Sequence, residues 1–487
     1  MRRALPGLIL AALLAGCATA VNPVTGREER SVMTEADELA EGRKAHAQVL
    51  QEYGVVADTR LQAYVNGIGQ KLARQSHRAQ LNWTFTVLDS PEVNAFALPG
   101  GYVYVTRGIM AYMESEADLA GVIGHEIGHV TARHGAQRAT RQQSAGLGVL
   151  AASVLGAALG LGDAASQLSQ AVEAGYIASY SREQELQADR LGAEYLARSD
   201  YQPRNMVDVI AVLRSQERYA ADQARAAGRA APSGANWLSS HPSNDERLQR
   251  IREVAAGYPG DYGDDGRARW LQAIDGLVYG ESREQGVTRG RQFFHEPLGF
   301  ALTAPMGWRV RNGRDAILLV NAAGDAGLAL QPAPAGSGRT HEEIIRNGLK
   351  PSSGRVERRV INGFDATHFV GQRQDAQGRT QSLVATIVTG PEGRHYVMLH
   401  ASRDAAALQR AQPGLREAES SFRALNAAER AAAQPWTLTT VPLPAGGFDE
   451  LARRSPLGED APAQLRLVNG LYPRGDVRPG QRVKVVR

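Results

Sequence analysis

No five residues constrain this chain more than His125-Glu126-Ile127-Gly128-His129, which set three chemically demanding side chains on an apolar helix. Residues four apart on an α-helix project about 40° apart. His125 and His129 therefore present two imidazoles toward one point, as a zinc ion needs. Glu126 projects beside them, where its carboxylate reaches a water molecule without taking a ligand position. The pattern supplies two ligands and one general base. Ala120, Val122, Ile123, Ile127 and Val130 pack the helix, and Gly124 and Gly128 thin its ligand face. One helix is expected over residues 114 to 143.

A catalytic zinc takes a third protein ligand and keeps one position open. Ala132 and Gly135 stand where the longer HExxHxxGxxH pattern requires glycine and histidine, so that continuation is excluded. On an unbroken helix His134 lies about 140° around from His129 and does not join the pair. The third ligand must come from a second helix. Glu185, in SREQELQAD, is the best candidate, with Glu173 and Glu183 as rivals. Asp189 lies one turn beyond Glu185, where it can accept a hydrogen bond from His125, orient that ring and raise its basicity.

The chain opens with Arg2 and Arg3, an apolar run from Ala4 to Leu14, and Leu14-Ala15-Gly16-Cys17. That order reads as a secretory signal, too short for a spanning helix. Its last four residues match the bacterial lipobox, which makes Cys17 the expected lipidation site and membrane anchor. Ala18 after the cysteine fits sorting to the periplasmic face of the outer membrane. Cys17 is the one cysteine of 487 residues, so no internal disulfide is possible. The formal net charge of +4 and the absence of a Lys/Arg block argue against a nucleic-acid partner.

At this length several domains are expected. A signal peptide (1–16) and lipidated tether (17–33) precede a mainly helical domain over 34–256. Helices are expected within 34 to 76, split at Gly54, and strands at 83–89 and 95–105. Residues 145 to 162 form an uncharged run with five glycines, read as a buried or membrane-touching helical hairpin rather than a span. Helix returns over 167–199, a loose stretch covers 221–236, and Asn244 or Asp245 caps a further helix. A linker (257–290) leads to an α+β sheet module over 291–428, whose opening resembles small sheet domains of the PsbP/Mog1 type. Residues 435–487 read as β-α-α-β and resemble the LysM peptidoglycan-binding module. The expected class is α+β throughout.

Four blocks in order, NAFALPGGYVYVTRG, EADLAGVIGHEIGHVTARH, YSREQELQADRLG and HPSNDERLQRI, resemble the HtpX/CAAX-prenyl-protease family of zinc metallopeptidases (gluzincins) over residues 35 to 255. The style is that of its periplasmic BepA-like lipoprotein members. The resemblance implies one Zn2+ per chain held by His125, His129 and Glu185, with Glu126 as catalytic base and Asp189 behind the ligands. It implies that Asn94 to Val105 form an edge strand, with Asn94, Ala95, Phe96, Gly100 and Gly101 meeting an extended protein substrate. It also places His241 near the metal, stabilising an oxyanion or covering zinc in a resting state. No 34-residue helical repeat follows residue 260, so the BepA substrate platform is absent. The expected activity is peptide-bond hydrolysis in misfolded or stalled envelope proteins, with residues 435–487 reaching peptidoglycan. Two other readings stay open. One is a non-enzymatic envelope lipoprotein, a chaperone or cell-wall tether, with a latent or structural zinc site. The other is a peptidoglycan hydrolase.

Overall fold

The computed structural model describes residues 18–144, 180–226, 228, 237, 241, 245–313, 315–374, 379–475 and 477–487. The signal peptide, Cys17, the 145–162 run and Glu173 lie outside the described residues. No described helix is long and apolar enough to cross a membrane. The described chain is α+β and divides into two units. One holds the residues up to 279 together with 436–487, and the other holds 280–435.

In the first unit, strands β1 (Ala18–Val21) and β2 (Glu28–Ser31) pair ahead of helices α1 (Glu35–Tyr53) and α2 (Thr59–Ala73). Thr34 and Asp37 form a capping box that starts α1, and Asp58 accepts from two backbone N–H groups to start α2. Strands β3 (Thr84–Leu88), β4 (Ala95–Leu98) and β5 (Tyr102–Thr106) form a sheet in the order β3-β5-β4, with β4 at the edge. The short α3 (Arg107–Met110) follows.

The expected long helix over 114–143 is two helices. Ser115 caps α4 (Glu116–Thr131), and α5 (His134–Ser144) starts afresh. Arg133, at φ 58°, breaks the path between them. Its guanidinium bonds Glu38 Oε1 at 2.6 Å and Met33 O at 3.0 Å, contacts that hold this left-handed turn. Helices α6 (Arg182–Arg198), α7 (Asn205–Ala226) and α8 (Asp245–Ala256) complete the helical part. The 221–236 stretch is thus helical at least to Ala226.

Residues 257–279 are not a free linker. Helix α9 (Arg267–Ala273) buries Trp270 and Leu271, and with Ile274 and Leu277 they join the same core as Leu61, Phe85 and Ile123. Strand β6 (Val278–Tyr279) ends this part.

The second unit contains a four-stranded sheet in the order β17-β9-β8-β7, where β7 is Val287–Arg289, β8 Gln292–His295, β9 Phe300–Thr303 and β17 Arg423–Ala424. Its seven-stranded sheet is antiparallel throughout. The strands are β10 (Arg309–Asn312), β11 (Ile317–Val320), β12 (Ala326–Pro332), β13 (Ser353–Ile361), β14 (Phe364–Gln374), β15 (Thr380–Thr389) and β16 (His395–Ser402). Their order is β10-β11-β12-β16-β15-β14-β13. One core includes Leu328, Met398 and Leu415, the last from helix Ala405–Ser420. A second joins Ile344 and Ile345 to Phe369 and Ile387.

The chain then returns to the first unit. Strand Trp436–Pro442, helices Gly447–Ala452 and Ala461–Val468, and strand Arg482–Val486 keep the expected β-α-α-β order. They do not stand alone: Phe448, Leu465 and Val483 belong to the same core as Ile123, and Trp436 pairs with Tyr279. Lys484 is fully buried, and its ammonium donates to Ala111 O at 3.0 Å and Met113 O at 2.8 Å and pairs with Glu114 at 2.7 Å. These groups form the turn that launches α4.

Candidate metal centre

Helix α4 packs against α6 more closely than ordinary side chains allow. A Cβ on Gly128 would lie 2.9 Å from Ala188 O, and one on Gly192 would lie 3.1 Å from His125 N. The glycines thus thin the face that meets α6, and this approach brings Glu185 and Asp189 up to the two histidines.

His125 Nε2 and His129 Nε2 stand 3.0 Å apart. His241 Nδ1 is 3.2 Å from His125 Nε2 and 3.0 Å from Glu185 Oε1. Glu185 Oε1 is 3.4 Å from His129 Nε2. One ligand atom from each of these four buried residues lies within 4.8 Å of every other. Burial pushes the His129 imidazole well below its usual value, so it stands neutral with a lone pair to give. A ring proton on His241 Nδ1 can bridge to Glu185 Oε1, and a cation among the four atoms would take up their lone pairs together. Nitrogen and oxygen donors in this number fit zinc. Glu183, the rival on α6, is exposed, and the cluster does not include it.

The support around the cluster is charged on one side. Asp189 Oδ1 approaches His125 Nδ1 to 2.9 Å, off-line from the ring N–H. Arg247 holds Asp189 with two nitrogens, at 2.7 and 2.8 Å, and also approaches Glu185 Oε2 to 2.8 Å and donates to His241 O at 2.9 Å. Burial alone would raise the Asp189 carboxyl, but Arg247, with His125, holds it below its usual value.

Two of these neighbours were not anticipated. Arg247 was one basic residue in an exposed-looking helix start, and only its place six residues after His241 hints at a role. Trp237 gave no signal in its Ala/Gly-rich surroundings. Its indole donates to Glu126 Oε1 at 3.0 Å, its ring stacks on His241 at 4.6 Å, and its backbone N–H donates to Val93 O at 2.7 Å. Glu126 is fully buried, and its Oε2 accepts no hydrogen bond among the described residues.

The residues expected to meet substrate divide into two kinds. The side chains of Ala95 and Phe96 are buried in the core, Phe96 stacked on Tyr104, so β4 can offer only its backbone edge. Gly100 and Gly101, at φ 87° and 97°, make the tight turn between β4 and β5. Asn94 differs: its side-chain oxygen is buried and accepts no hydrogen bond among the described residues. A cleft shared by β4 and the histidine helix is lined by Leu98, Pro99, His129, Arg138 and Tyr180.

Residues 59–255 match the sequence profile of Peptidase family M48. The beta-barrel assembly-enhancing protease of Escherichia coli (strain K12) is 30% identical over 240 residues, covering 48% of this chain and 47% of that protein. The Yersinia pestis protein of the same name is 28% identical over 288 residues, 54% and 57% of the two chains. The mitochondrial metalloendopeptidase OMA1 of Schizosaccharomyces pombe is 29% identical over 240 residues, 47% and 65%. The chain spans about half the length of the bacterial relatives it matches. Among solved structures, cyanobacterial PsbP from Synechocystis sp. PCC 6803 covers 30% of this chain and 98% of its own at 12% identity. Its TM-score of 0.21 is too low to bear on fold or function. The family match and the convergence of three imidazoles and a carboxylate agree: over residues 59–255 this chain carries a zinc metallopeptidase domain of Peptidase family M48.

Proposed function

We propose that this chain is a zinc-dependent endopeptidase acting on extended segments of bacterial envelope proteins, misfolded or stalled outer-membrane and periplasmic proteins among them. The observation that carries the reading is Glu126, a buried carboxylate with one oxygen unpartnered among the described residues, next to the cluster of His125, His129 and Glu185. Bound there, zinc supplies Lewis-acid polarisation of the scissile carbonyl and acidifies water. Glu126 takes the proton from the attacking water as the C–O bond forms, and returns it to the amine nitrogen as the C–N bond breaks. The edge of β4 pairs with the substrate backbone, and Asn94 Oδ1 accepts a substrate N–H.

His241 sits within hydrogen-bonding distance of two candidate ligands, so this arrangement is a resting one in which His241 covers the metal position. Turnover requires His241 and Trp237 to withdraw, which also frees Glu126 Oε1. His241 is then available to stabilise the oxyanion. Anchoring through Cys17 and attachment to the outer membrane are supported by the basic start and the Leu-Ala-Gly-Cys tetrad. Peptidoglycan binding by residues 435–487 is supported by their β-α-α-β order.

The test is Glu126→Gln. The purified variant should retain one zinc per chain and lose roughly 10²–10⁴-fold in its rate on unfolded casein. Digestion at the parent's rate contradicts the mechanism.

A further inference from the structure

The two helical histidines are supported in different ways, and one support belongs to a residue excluded above on helical geometry. Because α4 ends before Arg133, His134 turns back toward the site, and its Nδ1 lies 2.9 Å from His129 Nδ1. Its other ring nitrogen, Nε2, lies 3.1 Å from Gln187 Oε1 on α6. His134 is fully buried. The flat face of the His129 ring is stacked on Tyr180, 3.8 Å between centroids and 22° between planes.

These contacts assign the protons. Gln187 Oε1 can only accept, so His134 Nε2 carries the hydrogen and donates. A neutral imidazole then has a lone pair on Nδ1, so His129 Nδ1 must be the donor in the 2.9 Å contact. That leaves the His129 lone pair on Nε2, the atom that faces His125 and Glu185. The chain of two hydrogen bonds selects the tautomer in which His129 can ligate, and Tyr180 fixes the plane in which it does so.

We propose that His134, held by Gln187, is a positioning residue for His129: it sets the tautomer and rotation of that ring and thereby the affinity of the site for zinc. The inference rests on the metal reading above. It is tested on the full-length protein by titrating zinc against a fluorescent chelator for the parent, His134→Phe and His134→Asn, with thermal unfolding of each metal-free protein measured alongside. Asparagine places its Oδ1 near the position of the lost Nδ1 and can accept from His129, whereas phenylalanine fills the space without an acceptor. His134→Phe should weaken zinc binding about 10–100-fold, and His134→Asn should recover most of that loss, with similar metal-free melting for both variants. Zinc binding by His134→Phe within about threefold of the parent overturns the inference. Equal losses in both variants also overturn it, since packing alone then explains them. A parent that binds no zinc overturns the metal reading itself, and the inference with it.

Discussion

Each unit buries histidines beside a glutamate, yet the two clusters converge differently. In the second unit Glu419 Oε1 accepts from Thr386 Oγ1 at 2.7 Å and lies 2.8 Å from His400 Nε2, while His368 Nδ1 lies 2.8 Å from Thr386 Oγ1. Each of these contacts can pair a hydrogen with a lone pair, although His400 Nδ1 has no partner among the described residues. In the first unit one ligand atom each from His125, His129, His241 and Glu185 comes within 4.8 Å of the others, and His241 Nδ1 can donate to Glu185 Oε1 at 3.0 Å. Burying imidazoles and a carboxylate together does not make a metal site. A site is marked by several nitrogen and oxygen ligand atoms that converge on one point, as a cation requires.

Metal removal should separate the clusters most strongly. Free zinc at a thousandfold excess over its dissociation constant stabilises the folded first unit by about 4 kcal/mol. Chelation should therefore raise hydrogen exchange in peptides spanning 119–131 and 182–196 and leave 366–400 unchanged. Equal deprotection of both regions would erase the contrast.

A smaller effect is expected inside the second unit. Glu419→Gln should cost about 1–3 kcal/mol by unbalancing the buried network, with zinc content unaltered. Burial pushes the Glu419 carboxyl up, but His400, Thr386 and His368 together hold it below the ordinary glutamate value of 4.5. A depressed folded-state value means stabilisation that is present above pH 4.5 and lost as pH falls through the folded value. The parent's second unit should weaken in that acid window, and Glu419→Gln should flatten the dependence. Denaturant unfolding followed by exchange of the 366–400 peptides measures both. Thr386→Val, which removes one hydroxyl from the same network, should cost about 1 kcal/mol. A neutral result would mean that the Thr386 hydroxyl does not support Glu419 as described.

The sequence made the centre of the site legible and its surroundings less so. His125, Glu126 and His129 follow from one helix period, whereas the demand for a further ligand left Glu173 and Glu183 beside Glu185, and the family resemblance singled out Glu185 and Asp189. His134 escaped because the helix stops at a turn set by Glu38 and Met33, about a hundred residues upstream, and no local pattern carries that information. Trp237 and Arg247 lie in a stretch of weak periodicity, and their roles exist only through contacts to α4 and α6. The strands of residues 436–487 were readable from alternation. That Lys484 buries its ammonium in the turn before α4 was not, since a lysine in a terminal strand ordinarily faces water. Strand β13, with its run of arginines, carries little apolar alternation because it is an edge strand exposed along most of its length.

In the proposed site His125, His129 and Glu185 hold one divalent ion with His241 across the remaining position. Zinc K-edge X-ray absorption on the purified full-length protein, with metal content measured on the same sample, tests it most directly. One zinc per chain in a shell of nitrogen and oxygen, with the multiple-scattering signature of three imidazoles falling to two in His241→Ala, is the predicted result. A protein that carries no zinc, or a signature unchanged by His241→Ala and by Glu185→Ala alike, would contradict it.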